Sequence, residues 1–456
     1  MSNEAAFPRN FLKAYPKATR AEGCFIYTSE GRRYLDACGG AAVVTIGHGV
    51  PEVARAIGDQ AARLAYVHSS QFSTAPAETL AKRILALAPE PMRRDGRVFF
   101  TSGGSEATET AIKLAHQYWL ERGNTKRVRV IARRQSYHGA TLGALSLSGN
   151  VRRREPFSPL LHEWGHIAPC FCYRCPFGLQ YPECNVDCAD DLERLLLRDG
   201  ADDVAAFIVE PVSGATLGAV APPDGYLERI AEICRKRGIL LIADEIMSGM
   251  GRTGKPFAVQ HWGVAPDIIL IGKGVASGYA PLGGVIAAGK VVEALSAGSG
   301  AFLHGFTYHA HPLSVAAGNA VLDYIERENL FARVEPMGKE LGAALESLKR
   351  FSVVGDVRGI GLLWAIEFVR DVKTREPFPA DGHISYRVAE DALESGVLTY
   401  PIQGCADGQR GDHLLLAPPF TFTSAMIQMV VSALERAIAE LEKTHLASAG
   451  GSTALA

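Results

Sequence analysis

Short unbroken apolar runs alternate with amphipathic stretches through the middle of the chain. Ala206–Val209, Ile239–Ala243, Ile268–Ile271 and Val285–Ala288 are continuous rather than alternating, and Val128–Ala132 is broken only by Arg129. A strand with one wet face would alternate, so these predict strands buried on both faces. Between them lie helical patterns. The stretch from Gly225 to Gly238 puts Leu227, Ile230, Ile233 and Cys234 on one face. The pattern predicts an α/β fold with a largely parallel sheet covered by helices.

In such sheets ligands gather where the strands end. Polar residues stand at those ends: Tyr137 and His138, then Glu210, then Asp244 and Glu245, then Lys273 between Gly272 and Gly274. A lone lysine flanked by glycines reads as a solvent-facing turn. Successive strands delivering functional groups to one rim read as a site.

The texture changes near residue 330. A helical segment from His311 to Arg350 is followed by "VGDVRGIGLLWAIEFV", which looks strand-rich, then by helical patterns from Tyr386 and from Ser424. The predicted division is 1–65 as a segment joining a small α+β domain, 66–330 as the large domain, and 331–456 as the rest of the small domain. The last stretch, Ala447–Ala456, is small and polar and reads as a frayed tail.

Composition narrows the partners. The chain has 456 residues, 47% of them hydrophobic, with a formal net charge of -2. That suits a large core and gives no electrostatic footprint for nucleic acid. The cluster "VRRREPF" (Val151–Phe157) reads as a solvated loop. No apolar run reaches transmembrane length and the first residues lack a signal-peptide core, so neither membrane nor export is expected and the cytoplasm is the expected location. Five of the 9 cysteines cluster between Cys170 and Cys188. Cys172, Cys175, Cys184 and Cys188 have passable zinc-ligand spacing for a closed structural site, but the segment reads first as a compact loop of reduced thiols, with no metal expected.

A second signature is "VFFTSGGSEATETAIKLAHQYW". A strand, Val98–Phe100, runs into a Gly/Ser loop, Thr101–Ser105, and then a helix with Ala107, Ala111, Leu114 and Ala115 on its apolar face. Free N–H groups at a helix start make an anion site. The loop is neither a Walker loop nor a dinucleotide loop, which leaves a nicotinamide dehydrogenase without support. A phosphate cradle, an aromatic ring at Tyr137, an acid at Asp244 and an amine at Lys273 together fit pyridoxal phosphate. Its aldehyde takes a lysine, its ring nitrogen pairs with a carboxylate, and its ring accepts electrons. A Mg2+ site or a helix cap at Asp244–Glu245 would leave Lys273 unexplained.

The chain resembles the class III pyridoxal-phosphate aminotransferases of fold type I, which include omega-amino acid, ornithine-type and diamine transaminases. The resemblance spans nearly the whole chain and is carried by "TSGGSEATE", "SYHG", "ADEIMSGMGRTG", "IGKG" with "PLGG", and "GFTYHAHPL". It implies that Lys273 holds the cofactor and shuttles a proton, that Asp244 pairs with the ring nitrogen, and that Tyr137 stacks on the ring with Ile246 beneath it. Gly103, Gly104 and Ser105 would cradle the phosphate. Glu210 would lie near the cofactor's hydroxyl, and His138 would contact the cofactor or buttress the site. Thr307 would reach the phosphate of a neighbouring subunit, which implies a homodimer with shared sites. The glycines beside Lys273 would leave room for its amine to swing.

The implied reaction is ping-pong transfer from an amine, diamine or omega-amino acid to pyruvate or 2-oxoglutarate. The keto acid's carboxylate calls for an arginine. Arg410 in "DGQRGDHLLLAPPF" is the candidate, standing two places closer to the Asp-His pair than in the family pattern. Ala42 stands where amine-specific members carry tryptophan, which implies a roomier pocket for the donor. An aminomutase or decarboxylase would use the same lysine and aspartate. A non-catalytic zinc-linked binding protein would leave that pair without a purpose.

Overall fold

The computed structural model describes residues 5–451. Strands β1 (Ala18–Glu22), β2 (Phe25–Thr28) and β3 (Arg33–Asp36) form an antiparallel meander near the N-terminus. The central strands are β4 (Arg97–Thr101), β5 (Arg129–Arg133), β6 (His166–Ile167), β7 (Val204–Val209), β8 (Leu240–Asp244), β9 (Ile268–Ile271) and β10 (Gly283–Ala287). They build a 7-stranded sheet in the order β4-β10-β9-β8-β7-β5-β6. Neighbouring pairs from β9 through β6 are parallel, and β10 runs antiparallel to both β9 and β4.

Helices cover both faces, and every residue of β7, β8, β9 and β10 is buried. That is why these strands read as continuous apolar runs. The helix Tyr226–Arg237 follows the predicted stripe, with Leu227, Ile230, Ile233 and Cys234 buried and glycines in the left-handed region at both ends.

Later strands are β11 (Val354–Ile360), β12 (Leu363–Phe368), β13 (Val397–Leu398), β14 (Tyr400–Gln403) and β15 (Asp412–Leu416). β11, β12, β15 and β14 form a 4-stranded sheet, and β13 joins β3 in parallel. The chain's early segment is thus tied to its late one.

Two expectations are corrected. The segment His311–Arg350 is two α-helices, Pro312–Arg327 and Leu330–Glu346, and a short 3-10 turn. The break falls at Asn329, whose φ of 48° lies in the left-handed region that interrupts a right-handed helix. The closing helix runs Ser424–Gly451, so Ala447–Gly451 is helical rather than frayed, and Ser452–Ala456 lies outside the described residues. Among the described residues, no helix is long and apolar enough to cross a membrane.

Candidate active site

The rim formed by the ends of β5, β7, β8 and β9 carries the predicted groups on neighbouring strands. Asp244 ends β8, pairs in register with Leu270 of β9, and is buried. Its Oδ2 lies 2.7 Å from His138 Nδ1 and its Oδ1 accepts the Ile246 N–H at 3.1 Å. An ionised carboxylate only accepts, so His138 donates from Nδ1. His138 is held in turn by its backbone: its N–H donates to Ser148 Oγ at 2.8 Å and its carbonyl accepts from Thr108 Oγ1 at 2.6 Å. The histidine buttresses the aspartate. Its Nε2 is buried and has no partner among the described residues.

Lys273 follows β9 directly, with φ 42°, a left-handed conformation uncommon for a residue other than glycine. Its amine makes no hydrogen bond or ion pair with any described residue. Burial pushes its pKa from 10.5 down to about 8, against the opposing pull of Asp244 and Glu210. The flanking glycines are closely packed. A Cβ on Gly272 would stand 3.2 Å from Ile246 Cγ2, and one on Gly274 would stand 3.0 Å from Thr45 Cγ2. The neighbours press in and hold the lysine's backbone in place.

The depressed pKa gives a pH prediction. Between about 8 and 10.5 the unfolded chain keeps this proton while the folded chain has released it, so the group's contribution to stability rises with pH there. The neutral, nucleophilic amine also becomes dominant above about 8. Uptake of pyridoxal phosphate by the apoprotein should therefore quicken as pH rises through about 8 and then level off. Stopped-flow absorbance measures it; a rate still climbing toward pH 10.5 would show an unshifted lysine.

Beyond β4 the Gly/Ser loop leads into the helix Gly104–Glu121. Among the described residues the backbone N–H groups of Gly104 and Ser105 have no acceptor, while Glu106 reaches back to the Ser102 N–H at 2.8 Å. A Cβ on Gly103 would meet open space, whereas one on Gly104 would stand 2.8 Å from Ile246 Cδ1. Gly104, Ile246 and Gly272 thus pack together and join the loop to the β8 and β9 ends. Ser105 Oγ accepts the Ala140 N–H at 3.0 Å, which leaves its own proton to donate. Unclaimed N–H groups at the start of a long helix, a buried carboxylate and an uncommitted amine suit the phosphate, ring nitrogen and aldehyde of pyridoxal phosphate.

Glu210 closes the rim. Its carboxylate accepts the Tyr137 N–H at 3.1 Å and the Gly214 N–H at 2.9 Å, and burial pushes its pKa up. Arg133, which sequence reasoning passed over, is fully buried beneath it. It donates to the Glu210 carbonyl at 2.7 Å and to Ser213 Oγ at 2.9 Å. Its only sequence signal is a cation closing an apolar strand.

Residues 7–438 match the family described as aminotransferase class-III. The chain belongs to the class III aminotransferases. It is 38% identical over 431 residues to the uncharacterized aminotransferase YodT of Bacillus subtilis, covering 94% of this chain and 96% of that protein. Identity is 35% over 440 residues to the putrescine–pyruvate aminotransferase of Pseudomonas aeruginosa, covering 94% and 91%. A PLP-bound amine transaminase from an uncultivated Pseudomonas species superposes with a TM-score of 0.88 at 35% identity, covering 96% of this chain and 98% of that one. This class III aminotransferase therefore has the fold-type I architecture and depends on pyridoxal phosphate.

The outer residues of the predicted site fare differently. Arg410 sits in a loop bordering the rim, since Gln135 Nε2 donates to the carbonyls of Gly404 and Cys405 at 3.3 and 3.2 Å. Its exposed guanidinium is turned to Asp407 at 2.7 Å and Glu376 at 3.4 Å. Ala42 is buried with φ 59°, packed in a cluster with Val212, Ala215 and Ala417. Thr307 is exposed, and its carbonyl accepts from Tyr66 Oη at 2.9 Å.

The cysteines with zinc-ligand spacing are Cys172, Cys175, Cys184 and Cys188. The four line one small pocket with Phe171, Phe177 and Leu179. Yet among the described residues no group of three or more His, Cys, Asp or Glu side chains is placed to hold a metal ion.

Proposed function

We propose that this aminotransferase moves the amino group of an amine, diamine or omega-amino acid to pyruvate or 2-oxoglutarate in two half-reactions at one pocket. The observation that carries the reading is the uncommitted Lys273 amine, one strand away from an aspartate braced by His138. When bound, pyridoxal phosphate supplies an electron-accepting ring and an aldehyde carbon. In this reading Asp244 keeps a proton on the ring nitrogen, and His138 keeps Asp244 oriented. Tyr137 and Ile246 flank the ring, Glu210 holds the Tyr137 backbone, and Gly103, Gly104 and Ser105 take the phosphate. Lys273 Nζ, its pKa lowered to about 8, carries the proton between donor carbon and cofactor. The relative acting on putrescine and pyruvate supports a diamine among the donors.

The reading includes a homodimer in which Thr307 serves the neighbouring site. Exposed Phe72, Leu303 and Tyr308, at 61%, 79% and 59% exposure, are apolar side chains that an interface would cover. A cytoplasmic setting is supported by the cysteines, all of which are free thiols.

A panel of amine donors against pyruvate and 2-oxoglutarate tests the reading. The expected result is donor loss matched by the amino acid formed from the keto acid. Product formed with no keto acid present would instead indicate an aminomutase or decarboxylase.

A further inference from the structure

Three consecutive arginines, Arg152, Arg153 and Arg154, stand on the short helix Val151–Arg154. Two are committed. Arg152 donates to Gln403 Oε1 and to the Gln409 carbonyl. Arg154 pairs with Glu163 at 3.0 Å. Arg153 differs: its backbone N–H goes to the capping Asn150 side chain at 3.1 Å, and its guanidinium makes no hydrogen bond or ion pair with any described residue. The guanidinium lies 4.4 Å from the centre of the Tyr137 ring and is half-buried. Its positive charge is also felt at the Lys273 amine.

A guanidinium stacked on a ring uses its flat face and leaves its in-plane N–H donors free. Those donors form the fork that matches two carboxylate oxygens. Of the charges that close the strand ends at this rim besides Lys273, Asp244 and Glu210 are acids and Arg133 is buried and already donates to the Glu210 carbonyl and Ser213 Oγ, so an anionic substrate needs a further cation here. Arg410 would have to leave Asp407 and Glu376 to serve; Arg153 leaves nothing.

We propose that Arg153 reads substrate carboxylate in this site, its guanidinium fork binding the 2-keto acid beside the Tyr137 ring. This rests on the aminotransferase reading. The cluster that looked like a solvated loop then divides its labour. Arg152 and Arg154 fix the segment, and Arg153 faces the ligand.

Arg153→Leu and Arg153→Lys holoenzymes test it, using pyruvate and propanal as amino acceptors. Propanal has the same chain length and no carboxylate. Arg153→Leu should lower kcat/KM for pyruvate roughly ten- to a hundredfold, the effect of losing a charged hydrogen-bond pair, with propanal changed less than about twofold. Arg153→Lys, charged but without the fork, should fall between. Calorimetric binding of propanoate, an unreactive carboxylate, to the holoenzyme should weaken by the same factor as pyruvate use. Equal losses with pyruvate and propanal would make Arg153 only a support for the Tyr137 ring and overturn the proposal. Unchanged propanoate binding, or binding lost on Arg410→Leu instead, would overturn it too. Should the parent enzyme transfer no amino group to any keto acid, the aminotransferase reading fails while the propanoate measurements still decide Arg153.

Discussion

Lys273→Ala should lose turnover by at least about a thousandfold, because proton transfer and cofactor attachment depend on the same amine. The fold should survive. Lys273 makes no hydrogen bond or ion pair with any described residue, and its depressed pKa shows that the folded state already disfavours its charge. Thermal unfolding of the apoprotein should therefore stay level or rise slightly. Both measurements are needed: a dead but equally stable variant places the loss in chemistry. A variant keeping more than about a tenth of the parent turnover would remove Lys273 from the proton path.

Asp244→Asn should cost roughly a hundred- to a thousandfold in turnover, the range for losing one preorganised electrostatic partner. The substitution keeps the shape. Asp244 now holds His138 Nδ1 with Oδ2 at 2.7 Å and the Ile246 N–H with Oδ1 at 3.1 Å. Asparagine keeps one accepting oxygen, for the Ile246 N–H, and turns its NH2 to His138, whose neutral ring can accept there. The negative charge facing the ring nitrogen is what goes. Parallel loss of thermal stability would point to a structural role. Full turnover at unchanged stability would mean that the ring nitrogen needs no carboxylate from this position.

The rim was legible because strand ends carry information locally. Glu210, Asp244 and Lys273 each close an apolar run, and in a parallel sheet those runs must end on the same side. The order of the strands and the reversal of β10 were not legible, since pairing partners are set by long-range packing. Side-chain commitments were equally hidden. His138 meets Asp244 across 106 residues, and Arg133 reaches Glu210 across 77. No periodicity encodes such contacts. The ion pairs of Arg410 with Asp407 and Glu376 were hidden in the same way. Arg153 looked like one charge among three until the partners of its neighbours were known.

The proposed chemistry turns on Lys273 being the residue that holds the cofactor. Borohydride reduction of the holoenzyme, followed by digestion and peptide mass spectrometry, tests that directly. A phosphopyridoxyl mass is expected on the peptide bearing Lys273, and none on that peptide in the Lys273→Ala protein. The same mass on another lysine, or none on a protein saturated with pyridoxal phosphate, would contradict it.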